Sequence, residues 1–228
     1  MPVSKGRPSP GEPRTGDLLV VPASELDTAQ FSQLDIIYEQ AFPARLRVPL
    51  TELAAPSPRD QLLAALDGPN PVGFAALRRL TTADTVFLRY YGIAADRRRS
   101  RLGLRFWQQL TRFVAASGWP TRIAFEVEDP AGAHADEPER QIRLGRISFW
   151  ERCGAVVQPV TGYAIPALTG IGHPEPMALM IADPDDGDRL SDEELTVLVR
   201  TIFTEHYGLA PQDPLIAEAV ASIGSGRG

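Results

Sequence analysis

A single cysteine, Cys153, means that no intrachain disulfide can close, and nothing around it marks a reactive thiol, so it is given no catalytic role. Lysine is as scarce: Lys5 is the one lysine among 23 basic residues, which leaves 22 arginines. The three histidines, His134, His173 and His206, are far apart and have no Cys or His at ligand spacing, so no metal site is expected. Positive charge is in deficit, with 29 acidic against 23 basic residues and a net charge of −6, which argues against a nucleic-acid or anionic-membrane binder. No apolar run approaches the ~20 residues that cross a bilayer. Met1 to Asp17 is polar, rich in Pro and Gly, and lacks the apolar centre of a signal peptide. The expected partner is a small molecule or a cationic group, and the expected compartment is the cytoplasm.

What the sequence does have is apolar content, 43% over 228 residues, ample for one large domain with or without an extension. Residues 1–16 read as a disordered tail. The most organised stretch is Tyr90 to Thr111. Val86 to Ile93 is β-branched and aromatic with no Gly or Pro before Gly92, which suits a buried strand. Leu102, Phe106, Leu110, Phe113 and Val114 then recur at helical spacing. Between strand and helix lie Arg97, Arg98, Arg99, Ser100, Arg101 and Gly103. A helix N-terminus offers unpaired N–H groups and a positive dipole end, so this turn is a candidate pyrophosphate site.

Around it the pattern predicts an α/β (α+β) chain. Asp17 to Val21 is a first strand, and a helix follows with Ser24 as its N-cap and Leu34, Ile37, Tyr38 and Phe42 on its apolar face. The segment 61–66 pairs with 72–80 across Asp67-Gly68-Pro69-Asn70, and a second hairpin at 81–85 leads into 86–93. The strand at 122–127 follows a whole helix and must run parallel to its predecessor. A helix over 139–152 carries Ile142, Ile147, Phe149 and Trp150 as its apolar residues and stops at Gly154. Closing strands lie at 156–158, 163–165 and 177–181. Ser191 and Glu194 form a capping box that opens a last helix. Its stripe, Leu195, Leu198, Val199, Ile202 and Phe203, packs on its own chain or on a second copy, as a monomer or homodimer.

Arg98-Arg99-Ser100-Arg101-Leu102-Gly103 resembles the acyl-CoA signature of the GNAT N-acyltransferases (GCN5-related N-acetyltransferase family), with Arg101 in place of the first motif glycine. Arg146-Ile147-Ser148-Phe149-Trp150-Glu151-Arg152-Cys153-Gly154-Ala155 is similar to the second landmark, a helix ending in Phe-Tyr, three residues and Gly. The resemblance covers 17–182 and leaves 183–228 as a helical extension. It implies a mixed, twisted sheet of six or seven strands flanked by four or five helices, with a V-shaped opening between 86–93 and 122–127. The implied reaction carries an acetyl group from acetyl-CoA to a primary amine of a small metabolite or peptide, with no metal cofactor. The main chain of Ile93 would hold the pantetheine arm and the N–H of Tyr91 the acyl carbonyl. Amides of Arg99 to Leu104, with Arg98 before them, would cradle the pyrophosphate, Gly103 allowing close approach. Arg45, Arg47 and Glu52 would face the acceptor.

This sequence departs from the family at the chemistry. Phe87 and Arg89 stand where a fourth-strand Glu is common, so Glu126 and Glu128, alternate residues on one face of the next strand, are the remaining paired carboxylates to take the amine's proton. Trp150 stands where a tyrosine would reprotonate the thiolate; indole has no such proton, and Tyr163 could substitute. Arg101 either donates to phosphate or obstructs it. An active acetyltransferase and a degenerate acyl-CoA- or partner-binding protein without turnover both remain open on sequence alone.

Overall fold

The structure, a computed structural model, describes residues 18–98, 100–132, 136–168, 173–184 and 190–224, with only the backbone of Arg45. The expected tail at 1–16, Arg99 and His134 lie outside the described residues. The chain runs β1 (Leu18–Pro22), α1 (Thr28–Ala41), α2 (Leu50–Leu53), β2 (Asp60–Asp67), β3 (Asn70–Leu80), β4 (Thr85–Ile93), α3 (Leu102–Ala116), β5 (Ile123–Glu128), α4 (Glu137–Arg152), β6 (Ala155–Val157), β7 (Ala164–Ile165), β8 (Glu175–Ala182), α5 (Asp192–Thr201), a π-helical turn (Ile202–His206) and α6 (Pro214–Ala221). Among the described residues eight strands form one mixed sheet in the order β1-β2-β3-β4-β5-β8-β6, with β7 on β8. Of their pairings only that of β4 with β5 is parallel, as the connection through α3 requires.

Alternation along the strands gives the sheet two apolar faces. Leu88 of β4 and Phe125 of β5 point to one, where α3 brings Phe106 and Leu110 and α4 brings Trp150. Phe87 and Ala124 point to the other, where Leu195, Leu198 and Val199 of α5 and Ile202 and Phe203 of the π-helical turn are buried. That stripe therefore packs on its own chain. Beside it on the same face, α1 presents Leu34, Ile37 and Tyr38 to Phe74 and Tyr90. The carboxy-terminal helices thus roof the same sheet that carries the strand–turn–helix unit.

Several local expectations shift. Helix α1 starts at Asp27, not Ser24: Asp27 accepts from the Gln30 amide and Gln30 reciprocates, a complete capping box. Helix α4 opens earlier, at Asp136, with Pro138 in its first turn. Its Ile142 is exposed, whereas Arg143 is buried and bound to Asp129, Glu139 and Glu175. At the sheet centre Gly92 leaves room for the Phe74 ring, since an added Cβ would lie 2.5 Å from Phe74 Cε1. Phe74 is fully buried and cannot swing away. Gly92→Ala is therefore expected to cost roughly 1–3 kcal/mol through overpacking. An unchanged urea midpoint would contradict this packing.

Candidate active site

β4 begins as an ordinary partner of both neighbours. Val86 to Leu88 pair with Ile123 to Phe125 of β5, and there the pairing of β4 with β5 ends. On the other edge the β3 register jumps from Leu77↔Leu88 to Ala76↔Tyr90, so Arg89 is the extra residue of a β-bulge. The Val86 N–H reaches the Arg122 carbonyl beside β5, while the Ala94 N–H reaches Val72 of β3. Alternating back from Ala94, Gly92 and Tyr90 face β3, and the main-chain groups of Tyr91 and Ile93 face the open side. The Tyr91 side chain goes elsewhere: its ring stacks on Phe106 at 5.0 Å and its phenol donates to the Gly103 carbonyl at 2.5 Å.

The open edge leads to the turn before α3. Asp27, Asp136, Ser191 and Asp213 cap α1, α4, α5 and α6 with side-chain oxygens, but the N-cap of α3, Arg101, makes no such bond. The amides of Leu102, Gly103 and Leu104 occupy the first turn, where a helix offers no acceptor of its own. Arg101 is exposed and holds φ 60°, ψ 4°, the left-handed conformation that suits the glycine it replaces. Arg98 Nε donates to the Ile93 carbonyl at 3.2 Å, and Ser100 Oγ donates to the Arg97 carbonyl at 2.5 Å. Burial and the nearby Arg98 lower the pKa of Arg146, so these two cations approach one another. The structure gives Gly103 a packing reason: a Cβ there would meet the Phe149 ring at 3.3 Å. Trp150 is likewise a core residue, with its ring 4.4 Å from Phe125, 5.1 Å from Trp107 and 5.1 Å from Tyr91.

Across the split, on the α5 face, Glu126 is the residue directly after the last β5 pair. Tyr163 donates to its Oε1 at 2.5 Å and Tyr207 to its Oε2 at 2.5 Å. Burial outweighs both hydrogen bonds and pushes the carboxyl up to about 7. The same burial, reinforced by the Glu126 charge, pushes both phenols up, so they stay protonated donors. Glu128 is instead ion-paired to Arg146, so the two carboxylates expected as equals occupy different environments.

Arg89 is the matching residue after the last β4 pair, and its side chain is 10% exposed. Its Nη1 lies 3.4 Å from Asp60 Oδ1, while Arg78 forks onto the same carboxylate at 2.7 and 3.1 Å. His206 lies against Phe87 at 4.6 Å, and burial together with Arg89 and Arg78 depresses its pKa well below the usual imidazole value. Of the residues expected at the acceptor side, Arg47 pairs with Glu39 at 3.0 Å, and Glu52 is exposed near enough to act on Arg89. The Arg45 side chain lies outside the described residues. His206 and Tyr207 were invisible as site residues in the sequence because only the carboxy-terminal fold-back brings them to β4 and β5.

A sheet split between its two parallel strands, with an uncapped helix beside the opening, is the arrangement that the resemblance to the GNAT N-acyltransferases implies. The chain belongs to the acetyltransferase (GNAT) family, whose model matches residues 30–155. It is similar to a solved GNAT-family protein from Bacteroides thetaiotaomicron, with a TM-score of 0.64 at 20% identity, covering 85% of this chain and 99% of that one. It is also similar to an aminoglycoside 6'-N-acetyltransferase complexed with coenzyme A (TM-score 0.52, 18% identity, 72% and 95% covered). The ribosomal-protein-S18-alanine N-acetyltransferase of Escherichia coli is comparable (TM-score 0.50, 16% identity, 73% and 93% covered). These are likenesses of fold. No curated protein matches the sequence significantly.

The left-handed Arg101 makes a prediction of its own. Relief of about 1–2 kcal/mol of left-handed strain should outweigh about 0.4–1 kcal/mol of added unfolded-state freedom. Arg101→Gly should therefore match or exceed the wild-type urea midpoint, while the β-branched Arg101→Val lowers it. A lower midpoint for the glycine variant would mean that the Arg101 side chain itself holds the turn.

Proposed function

We propose that this chain is an N-acetyltransferase that moves the acetyl group of acetyl-CoA to a primary amine of a small metabolite or peptide. The observation that carries the reading is the split after Leu88 and Phe125, which leaves the main chain of Tyr91 and the N–H of Ile93 with no strand partner on one side, the Ile93 carbonyl being held by Arg98, and Glu126 on the other side. In this reading the Ile93 main chain pairs with the pantetheine arm and the Tyr91 N–H meets the thioester oxygen. The amides of Leu102, Gly103 and Leu104 hold the pyrophosphate. Arg98, Ser100 and Arg101 ring that turn, where exposed guanidinium groups suit phosphate, and Arg99 is a further cation of the same stretch of sequence. Trp150 contributes by fixing the floor beneath Tyr91.

The chemistry needs little covalent machinery, since most of the barrier yields to positioning and to polarisation of the carbonyl. The neutral amine attacks the thioester carbon, the C–N bond forms, the C–S bond breaks, and CoA departs as thiolate. Glu126 takes the amine proton directly or through water. A carboxyl that titrates near neutrality suits a base at physiological pH, and Tyr163 and Tyr207 hold it in place. Glu128, committed to Arg146, is the weaker candidate. Tyr163 stands beside the base, its phenol donating to Glu126, and is the remaining candidate to return a proton to the thiolate.

Because Glu126 acts when deprotonated, the amine-dependent rate should rise with pH through about 7 and flatten above it. Glu126→Gln should remove that inflection and lower the rate by roughly 10²-fold while leaving acetyl-CoA binding intact. Acetyl-CoA at 100 times its dissociation constant should add roughly 2.7 kcal/mol of stability, read as a higher Tm. A Tm shift with no CoA release for any amine would favour binding without turnover, to which the buried Trp150 and the replaced motif glycine also point. No shift at millimolar acetyl-CoA would overturn the reading altogether.

A further inference from the structure

Arg89 is not satisfied by the protein around it. The residue sits in the bulge with its side chain 10% exposed, yet its Nε is buried with no hydrogen-bond partner among the described residues. Its one ion pair, to Asp60, is the longer claim on a carboxylate that Arg78 already holds through a two-bond fork. Two guanidinium charges therefore share one half-buried carboxylate. The other acids nearby do not make up the difference. Glu52 on α2 is exposed to water, and Glu126 on β5 is held by two phenols. Glu205 is taken by the amides of Thr81 and Thr82, the Thr82 hydroxyl and Arg59. Near enough to Arg89 for its charge to act on the imidazole lies a second orphan among the described residues, the buried Nδ1 of His206, carried there by a π-helical turn of a kind that recurs at functional sites.

A buried donor left without an acceptor is costly, and a buried cation with incomplete pairing more so, so such a pair of groups calls for an anion from outside. We propose that Arg89 and His206 bind a carboxylate carried by the acceptor, so that the substrate is an amine that also bears a negative charge. Arg89 offers the planar fork that matches a carboxylate, and a neutral imidazole in its Nδ1–H tautomer adds one donor. Arg89 and Glu126 are the first residues beyond the last β4–β5 pair, one on each strand, so in this assignment a molecule in the split presents its carboxylate to one and its amine to the other. A polycationic amine would meet like charge at Arg89 and Arg78 instead.

This assignment rests on the acetyltransferase reading, and matched acceptors separate the two. The probes are phenylalanine, β-alanine and 4-aminobutyrate, each against its own carboxamide, with spermidine as the polycation. CoA release is corrected for the fraction of neutral amine. At least one carboxylate probe should exceed its amide by about tenfold or more in kcat/KM, the size expected of a charge-assisted bond. Arg89→Gln should bring that ratio to about one, and Arg89→Lys, which keeps the charge but loses the fork, should retain part of it. An unchanged Tm shift with acetyl-CoA reports that both variants are folded. Preference for amides or spermidine, a ratio indifferent to Arg89→Gln, or acetyl-CoA binding with no carboxylate probe acetylated would overturn the assignment. Failure of the wild type to bind acetyl-CoA would count against the acetyltransferase reading itself.

Discussion

The pairing between β4 and β5 stops after three residues, and the rest of the molecule is arranged around that stop. Two parallel strands in the middle of a sheet ordinarily continue, because unpaired main-chain groups there cost as much as lost hydrogen bonds. Here the bulge at Arg89 adds a residue to β4 at the point of departure, and bulged strands bend and twist away from their partners. A guanidinium and a carboxylate stand where the next pair would be. Flanking structure holds the split open: α3 and α4 fill the space beneath with Phe106, Trp107 and Trp150, while α5 and the π-helical turn brace the other face with Ile202 and Phe203.

The same geometry explains why Glu126 is an unusual carboxyl. Its neighbours on β5, Ala124 and Phe125, are core residues, and it lies one step past them, far enough under the carboxy-terminal roof to lose most of its water. Two phenols replace that water as donors, yet they do not offset the desolvation, and the group is left near neutrality. A fully solvated glutamate would be a feebler base, and Glu128 is committed to Arg146 instead.

Much of the fold was legible in the sequence because local signals agreed with one another. The β-branched run at 86–93, the helical spacing from Leu102 and the turn residues between them could hardly be read another way, and the Ser191–Glu194 capping box formed as its spacing implied. Errors came where two signals competed. Ser24 is a plausible cap, but Asp27 with Gln30 closes both orphan donors. Ile142 looked like core, yet the buried face of α4 belongs to Arg143, whose stem packs while its guanidinium finds Asp129, Glu139 and Glu175. The turn before α3 and the Glu126 position stood out in the sequence as candidates for chemistry. The partners of Glu126 and Arg89 were not, since Tyr207 lies 81 residues from Glu126 in the chain and no local pattern spans that distance.

The most direct test of the account is a crystal structure of the chain soaked or grown with coenzyme A. The pantetheine arm is expected in the split, paired with the main chain of Tyr91 to Ile93, with the pyrophosphate on the amides of Leu102 to Leu104. Coenzyme A bound elsewhere, or β4 and β5 zipped together past Leu88 and Phe125, would contradict it.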